Sequence, residues 1–119
     1  MVRRLREEWA KGSNRFARPG EILLGAFSGE TLAGLCGRNV DPYGNDPRAG
    51  RVRRLYVHPD HRRVGTGRRL VETLAADAHP FFDLLNVRAP AEAFAFYESL
   101  GFAPVTGEDT VTHRLRLHA

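Results

Sequence analysis

The segment Arg62-Arg63-Val64-Gly65-Thr66-Gly67-Arg68-Arg69 constrains this chain more than any other. It joins a β-like run, Arg51–Val57, to a helix-like run beginning at Thr66. With no Cβ at Gly65 or Gly67, backbone N–H groups there can come close to an anion. The following helix adds its free N-terminal N–H groups and the positive end of its dipole. Four arginines, Arg62, Arg63, Arg68 and Arg69, add full charge. A turn of this kind suits a pyrophosphate-bearing ligand. It also requires a strand before it and a helix after it, which points to a sheet with helical crossovers.

The rest of the chain supplies those elements. Val2, Leu5 and Trp9 share one face of a short helix over 2–11, ended by Gly12. Glu21–Phe27 and Thr31–Arg38 are β-like runs around Ser28-Gly29-Glu30, a hairpin signal. Residues 39–50, with Asp41-Pro42, Gly44-Asn45 and Asp46-Pro47, read as a long loop. Leu70, Val71, Leu74 and Ala78 give helical spacing from Thr66 to His79-Pro80. Phe82–Val87 reads as a buried strand, and 91–100 as a helix with Pro90 before it and Gly101 after it. Runs near 102–106 and 110–117 are β-like. The predicted order is α-β-β-β-α-β-α-β-β, a mixed α/β fold in one domain spanning residues 1–119. Within it, the unit 51–87 puts the glycine turn at the carboxyl end of a strand, where α/β sheets bind ligands.

Composition narrows the function. A length of 119 residues suits one core, and 42% hydrophobic content is enough to build it. The net charge is +4, and every basic residue but Lys11 is arginine, the side chain best shaped for bidentate phosphate contacts. A single cysteine, Cys36, excludes an intrachain disulfide and a cysteine-based zinc site, so no metal is expected. There is no 18-residue apolar run and no signal-peptide h-region, so the expectation is a cytoplasmic protein with no membrane partner. The arginine-rich stretches raise nucleic acid as a partner. However, no aromatic residues are interleaved with the basic cluster and no nucleic-acid motif is present, so nucleic acid is not expected.

The glycine turn alone leaves the ligand open. Leu70 stands where a dinucleotide fingerprint needs its third glycine, and no Gly-Lys-Ser/Thr follows, which excludes a P-loop. The signal sharpens when two motifs are taken together: Leu55-Tyr56-Val57-x-Pro59-x-x-Arg62-Arg63-x-Gly65-x-Gly67-x-x-Leu70, and later Ala93-x-x-Phe96-Tyr97-Glu98-x-Leu100-Gly101-Phe102. The pair resembles the GNAT superfamily of acyl-CoA-dependent N-acetyltransferases over roughly residues 21–117. The resemblance implies a strand with a bulge that splays from the next parallel strand, and acetyl-CoA as cosubstrate. It implies that the pantetheine arm lies along Leu55, Tyr56 and Val57. It places the pyrophosphate on the turn formed by Arg62, Arg63, Val64, Gly65, Thr66, Gly67 and Arg68. Tyr97 is then the acid that protonates the departing thiolate, and backbone N–H groups near Val57 stabilise the oxyanion. The acceptor is a primary amine on a small molecule or peptide. A silent acyl-CoA-binding or dimerising module is the alternative, and a homodimer stays open.

The chain departs from that family in three places. Arg88-Ala89-Pro90-Ala91 lacks the asparagine that often opens the tyrosine helix and contacts CoA. Asn86 precedes Val87-Arg88, where related protein N-terminal acetyltransferases carry a glutamate base. His58, His61, His113 and Asp46 are the candidates to replace that base. Finally, only about 20 residues precede the first hairpin, where the family usually has a strand and two helices. The expectation is an acceptor cleft that is open, completed by a partner, or truncated.

Overall fold

The computed structural model describes residues 18–118, so the helix expected over 2–11 lies outside the described residues. Strands β1 (Ile22–Ser28), β2 (Thr31–Val40) and β3 (Ala49–Val57) precede helix α1 (Thr66–Ala76). Then come β4 (Leu84–Val87), α2 (Phe94–Ser99), β5 (Ala103–Pro104) and β6 (His113–Arg116). These strands form one six-stranded mixed sheet in the order β1-β2-β3-β4-β6-β5. Only β3 and β4 run parallel, as the helical crossover between them requires. The β1–β2 turn is two residues, Gly29-Glu30, with Gly29 at a φ of 62°.

Four expected boundaries move. The loop at 39–50 shrinks because β2 runs on to Val40 and β3 begins at Ala49. Phe82 and Asp83 do not join β4, and Phe81 and Phe82 form a turn before it. Both N–H groups turn back to the Ala78 carbonyl, at 2.9 Å, and Phe82 becomes a core ring. The helix expected over 91–100 divides into a 3-10 turn, Ala91–Ala93, and a short α2. The last two strands contract, and Pro104, which has no N–H to give, closes β5 after two residues.

One apolar face of α1, Leu70, Val71 and Leu74, packs on the sheet with Leu24, Cys36, Val52 and Leu85. The helix sits close because β2 carries Gly34. A Cβ there would stand 2.8 Å from the Tyr56 carbonyl oxygen and 3.2 Å from Thr66 Cγ2. Backbone cannot yield as a side-chain tip can, so Gly34→Ala is expected to push the start of α1 outward. The cost is about 1–3 kcal/mol, read as a lower urea midpoint at unchanged m-value.

Two features of β3 shape the site. It pairs with β4 only through Ala49–Arg51 against Leu84–Asn86. Beyond Arg51 the two strands diverge, and β4 continues its pairing with β6 alone. The second is a bulge. Leu35 faces Tyr56 and Gly37 faces Arg53, so Arg54 and Leu55 together oppose Cys36. Arg54 takes up the distortion with a φ of 58°.

Candidate active site

The glycine turn is built by strain as well as sequence. Arg63 has a φ of 66° and Gly65 a φ of 86°, both in the left-handed region. Glycine adopts that conformation without penalty and arginine does not. Gly65 is the N-cap of α1, and no side chain caps the helix. Nor is there an acidic residue in its first turn, which reads Thr66-Gly67-Arg68. The positive end of a helix dipole ordinarily attracts carboxylates. Here it carries basic charge and uncapped N–H groups, an arrangement that suits an external anion.

The turn forms the wall of a cleft of about 360 Å³. Its lining includes Val57, Arg62, Arg63, Gly65, Thr66, Gly67 and Arg68, seven of the residues singled out from sequence. A Cβ at Gly65 would meet nothing within 4 Å, so this part of the turn is open space. Arg62 is partly committed: its Nε donates to the Val57 carbonyl at 3.1 Å and braces the turn on the end of β3. Arg68 bridges to Glu72 at 3.2 Å and donates to Ser99 Oγ at 3.1 Å, tying α1 to α2 across the cleft. Val64 stands apart, 70% exposed and outside the lining.

The divergence of β3 from β4 opens a second cleft of about 290 Å³. Val52, Arg54 and Leu55 line it from β3, Val87 to Pro90 from β4 and the segment after it, and Ala93 and Tyr97 complete the lining. The two clefts share their framing elements, the end of β3 and helix α2, where Phe96 lines the first and Tyr97 the second. Tyr56, also expected in contact with a ligand, is 42% exposed and lines neither cleft.

Tyr97 is buried at 4% exposure, its ring edge-on to Phe96 and Phe102. Burial pushes its phenol well above the ordinary range, and the nearby Cys36 adds to the shift. The Cys36 thiol is itself pushed up to about 12, chiefly by burial. Tyr97 therefore keeps its proton at neutral pH.

The candidate bases fare differently. His113 is 1% exposed, with Nε2 2.8 Å from Glu98, Nδ1 3.0 Å from Thr112 Oγ1, and its ring against Phe94. That is an interior tie between α2 and β6. Nδ1 of His58 accepts the Asp60 N–H, and Asp46 accepts the Arg48 N–H. His61 lines the first cleft, away from Tyr97. Among the described residues, no histidine or carboxylate lines the Tyr97 cleft. Asn86 is buried, donating to Asp41 Oδ2 at 2.8 Å and accepting from Arg114 Nε at 2.7 Å. At the start of the 3-10 turn before α2, Pro90 offers no side-chain cap. Residues missed from sequence are Phe96 and Ser99 in the first cleft and Arg54 and Arg88 in the second. No spacing rule would have found them, because β3, β4 and α2 meet only in the fold.

Known proteins share this architecture. An Exiguobacterium sp. 255-15 protein assigned as an acetyltransferase superposes with a TM-score of 0.79 at 30% identity, over 92% of this chain and 70% of that one. The ribosomal-protein-S18-alanine N-acetyltransferase of Escherichia coli gives a TM-score of 0.68 at 20% identity, over 95% and 77%. The Bacillus subtilis N-acetyltransferase YlbP, solved with coenzyme A, gives 0.64 at 17% identity, over 81% and 68%. No curated protein is similar in sequence to this chain. Residues 19–104, which hold the uncapped glycine turn, the bulged strand and Tyr97, match the acetyltransferase (GNAT) domain profile, and the chain belongs to that family.

Proposed function

We propose that this chain moves an acetyl group from acetyl-CoA to a primary amine by direct attack, with Tyr97 as general acid. The observation that carries the reading is a pair of clefts framed by the same two elements, β3 and α2. One ends in an uncapped, arginine-flanked helix N-terminus and the other in a protonated, buried phenol.

The residues fit the cosubstrate. Open space at Gly65, the N–H groups of the first turn of α1, and Arg63 form a cradle for a pyrophosphate. The edge of β3 beyond Arg51 has no strand beside it among the described residues, which leaves backbone for an amide-bearing arm to pair with. Acetyl-CoA supplies an acyl group activated as a thioester. Tyr97, lining the gap, holds a proton and delivers it to the leaving sulfur. With no histidine or carboxylate lining that gap among the described residues, the acceptor amine loses its proton to solvent.

Calorimetric titration with acetyl-CoA tests the reading, with adenosine 3′,5′-bisphosphate as control. Gly67 sits in ordinary contact range of Val57 and Phe96, 3.4 and 3.5 Å from a Cβ placed there, so Gly67→Ala fills cleft space without breaking the fold. Its acetyl-CoA affinity is expected to fall about tenfold or more, a cost of about 1.4 kcal/mol. Unchanged affinity would remove the turn from the cofactor site.

A further inference from the structure

The Tyr97 gap does not end at the sheet. Through Val52, Arg54 and Arg88 it continues into a further cleft of about 240 Å³, lined also by Tyr43, Arg51, Arg53 and Thr110. Val52 points into the core with α1, so its neighbours Arg51 and Arg53 lie on the opposite face of the sheet. The cleft therefore approaches Tyr97 from the side away from the phosphate turn.

Its chemistry is one-sided: four guanidinium groups and no carboxylate among the described lining residues. Elsewhere Arg38, Arg48, Arg68 and Arg114 each pair with an acid. In the cleft Arg51 pairs with Asp41 at 3.3 Å, while its guanidinium lies 4.7 Å from the Tyr43 ring centre. Arg53 and Arg88 have no ion pair among the described residues. Arg51 is 3% exposed, and its Nε has no hydrogen-bond partner among them. Two guanidinium groups, Arg53 and Arg88, without an ion pair among the described residues, in a cleft of small-molecule size, suit an oxyanion.

We propose that this cleft binds the acceptor, and that the acceptor is a small amine that also carries a carboxylate or phosphate. Arg53 and Arg88 hold the oxyanion while the amine reaches the Tyr97 gap. The assignment rests on the transferase reading and narrows its substrate class. A polyamine or a lysine-rich peptide would meet like charge here.

Binding and turnover are to be measured separately, both with the phosphate site filled by CoA or acetyl-CoA. Aspartate and O-phosphoethanolamine are set against asparagine amide, ethanolamine and spermidine, in the parent, Arg53→Gln and Arg88→Gln. By NMR titration the parent is expected to bind an oxyanion-bearing amine at least about tenfold more tightly than its neutral counterpart. That preference should weaken with salt and fall about tenfold in either variant, with acetyl-CoA affinity unchanged in Arg53→Gln. In turnover the variants should raise KM for the acidic amine more than they lower kcat. Whichever of the two acidic amines binds better distinguishes carboxylate from phosphate. Equal binding of charged and neutral amines, a preference for spermidine, or variants that bind like the parent would each overturn the assignment. Oxyanion-dependent binding with no acetyl transfer to any amine would support the cleft and overturn the transferase reading instead.

Discussion

Tyr97→Phe is expected to fold, to bind acetyl-CoA as tightly as the parent, and to turn over about 10²–10⁴-fold more slowly, the usual contribution of a placed general acid. The separation follows from what the phenol does in the structure. Its ring supplies the packing against Phe96 and Phe102, which phenylalanine retains. Its oxygen makes no hydrogen bond among the described residues, so removing it strands no buried partner. Tyr97 lines the strand gap, and in the proposed reaction its proton goes to the leaving sulfur. Rates of CoA release under saturating acetyl-CoA, beside calorimetric affinity, check this. Equal turnover across the pH range would take Tyr97 out of the mechanism and leave it as a core ring.

Asp41→Ala is expected to lose about 3–5 kcal/mol, the cost of leaving a buried charge uncompensated. The Asp41 carboxylate is 6% exposed and accepts from the Tyr43 N–H at 2.9 Å, Asn86 Nδ2 at 2.8 Å and Arg51 Nη2 at 3.3 Å. Among the described residues, Arg51 keeps only the Thr110 carbonyl and the Tyr43 ring once Asp41 is gone. The same contacts set a pH dependence. Burial raises the Asp41 pKa, but the hydrogen bonds from Tyr43, Asn86 and Arg51 and the charge of Arg51 outweigh it and hold the pKa below the ordinary value. A depressed folded pKa means that this stabilisation is complete above the unfolded value of about 3.9. It is lost as pH falls through the folded value. Urea midpoints from pH 7 down to 2.5 should fall more steeply in the parent than in Asp41→Asn. Parallel acid limbs would mean that Asp41 carries no such linkage.

How much of this was legible beforehand depends on whether the cause was local. The turn at 62–68 was readable because glycine and arginine state their own constraints in sequence. The hairpin around Gly29 and the helix from Thr66 were readable for the same reason. The two-motif resemblance carried the reading from a phosphate turn to acetyl-CoA. The Asp41–Arg51–Asn86 network was not legible, because its members come from a loop and two strands that only the sheet brings together. His113 drew attention as a reactive residue type, yet its surroundings make it a fastener between α2 and β6. Arg53 and Arg88 looked like surface charge until the divergence of β3 and β4 gave them a shared cleft.

The bulge at Arg54 sets the parity of everything after it. Val52 faces the core and Leu55 packs against it, three positions later, although strict alternation from Val52 would turn Leu55 to the other face. Deleting Arg54 would therefore remove the bulge without reversing the faces: Leu55 would follow Arg53 directly, still opposite Cys36, and Tyr56 would still turn outward. Inserting one further residue between Val52 and Leu55 would reverse them, turning Leu55 to solvent and Tyr56 toward the core. At this point β3 tolerates the loss of a residue better than the gain of one.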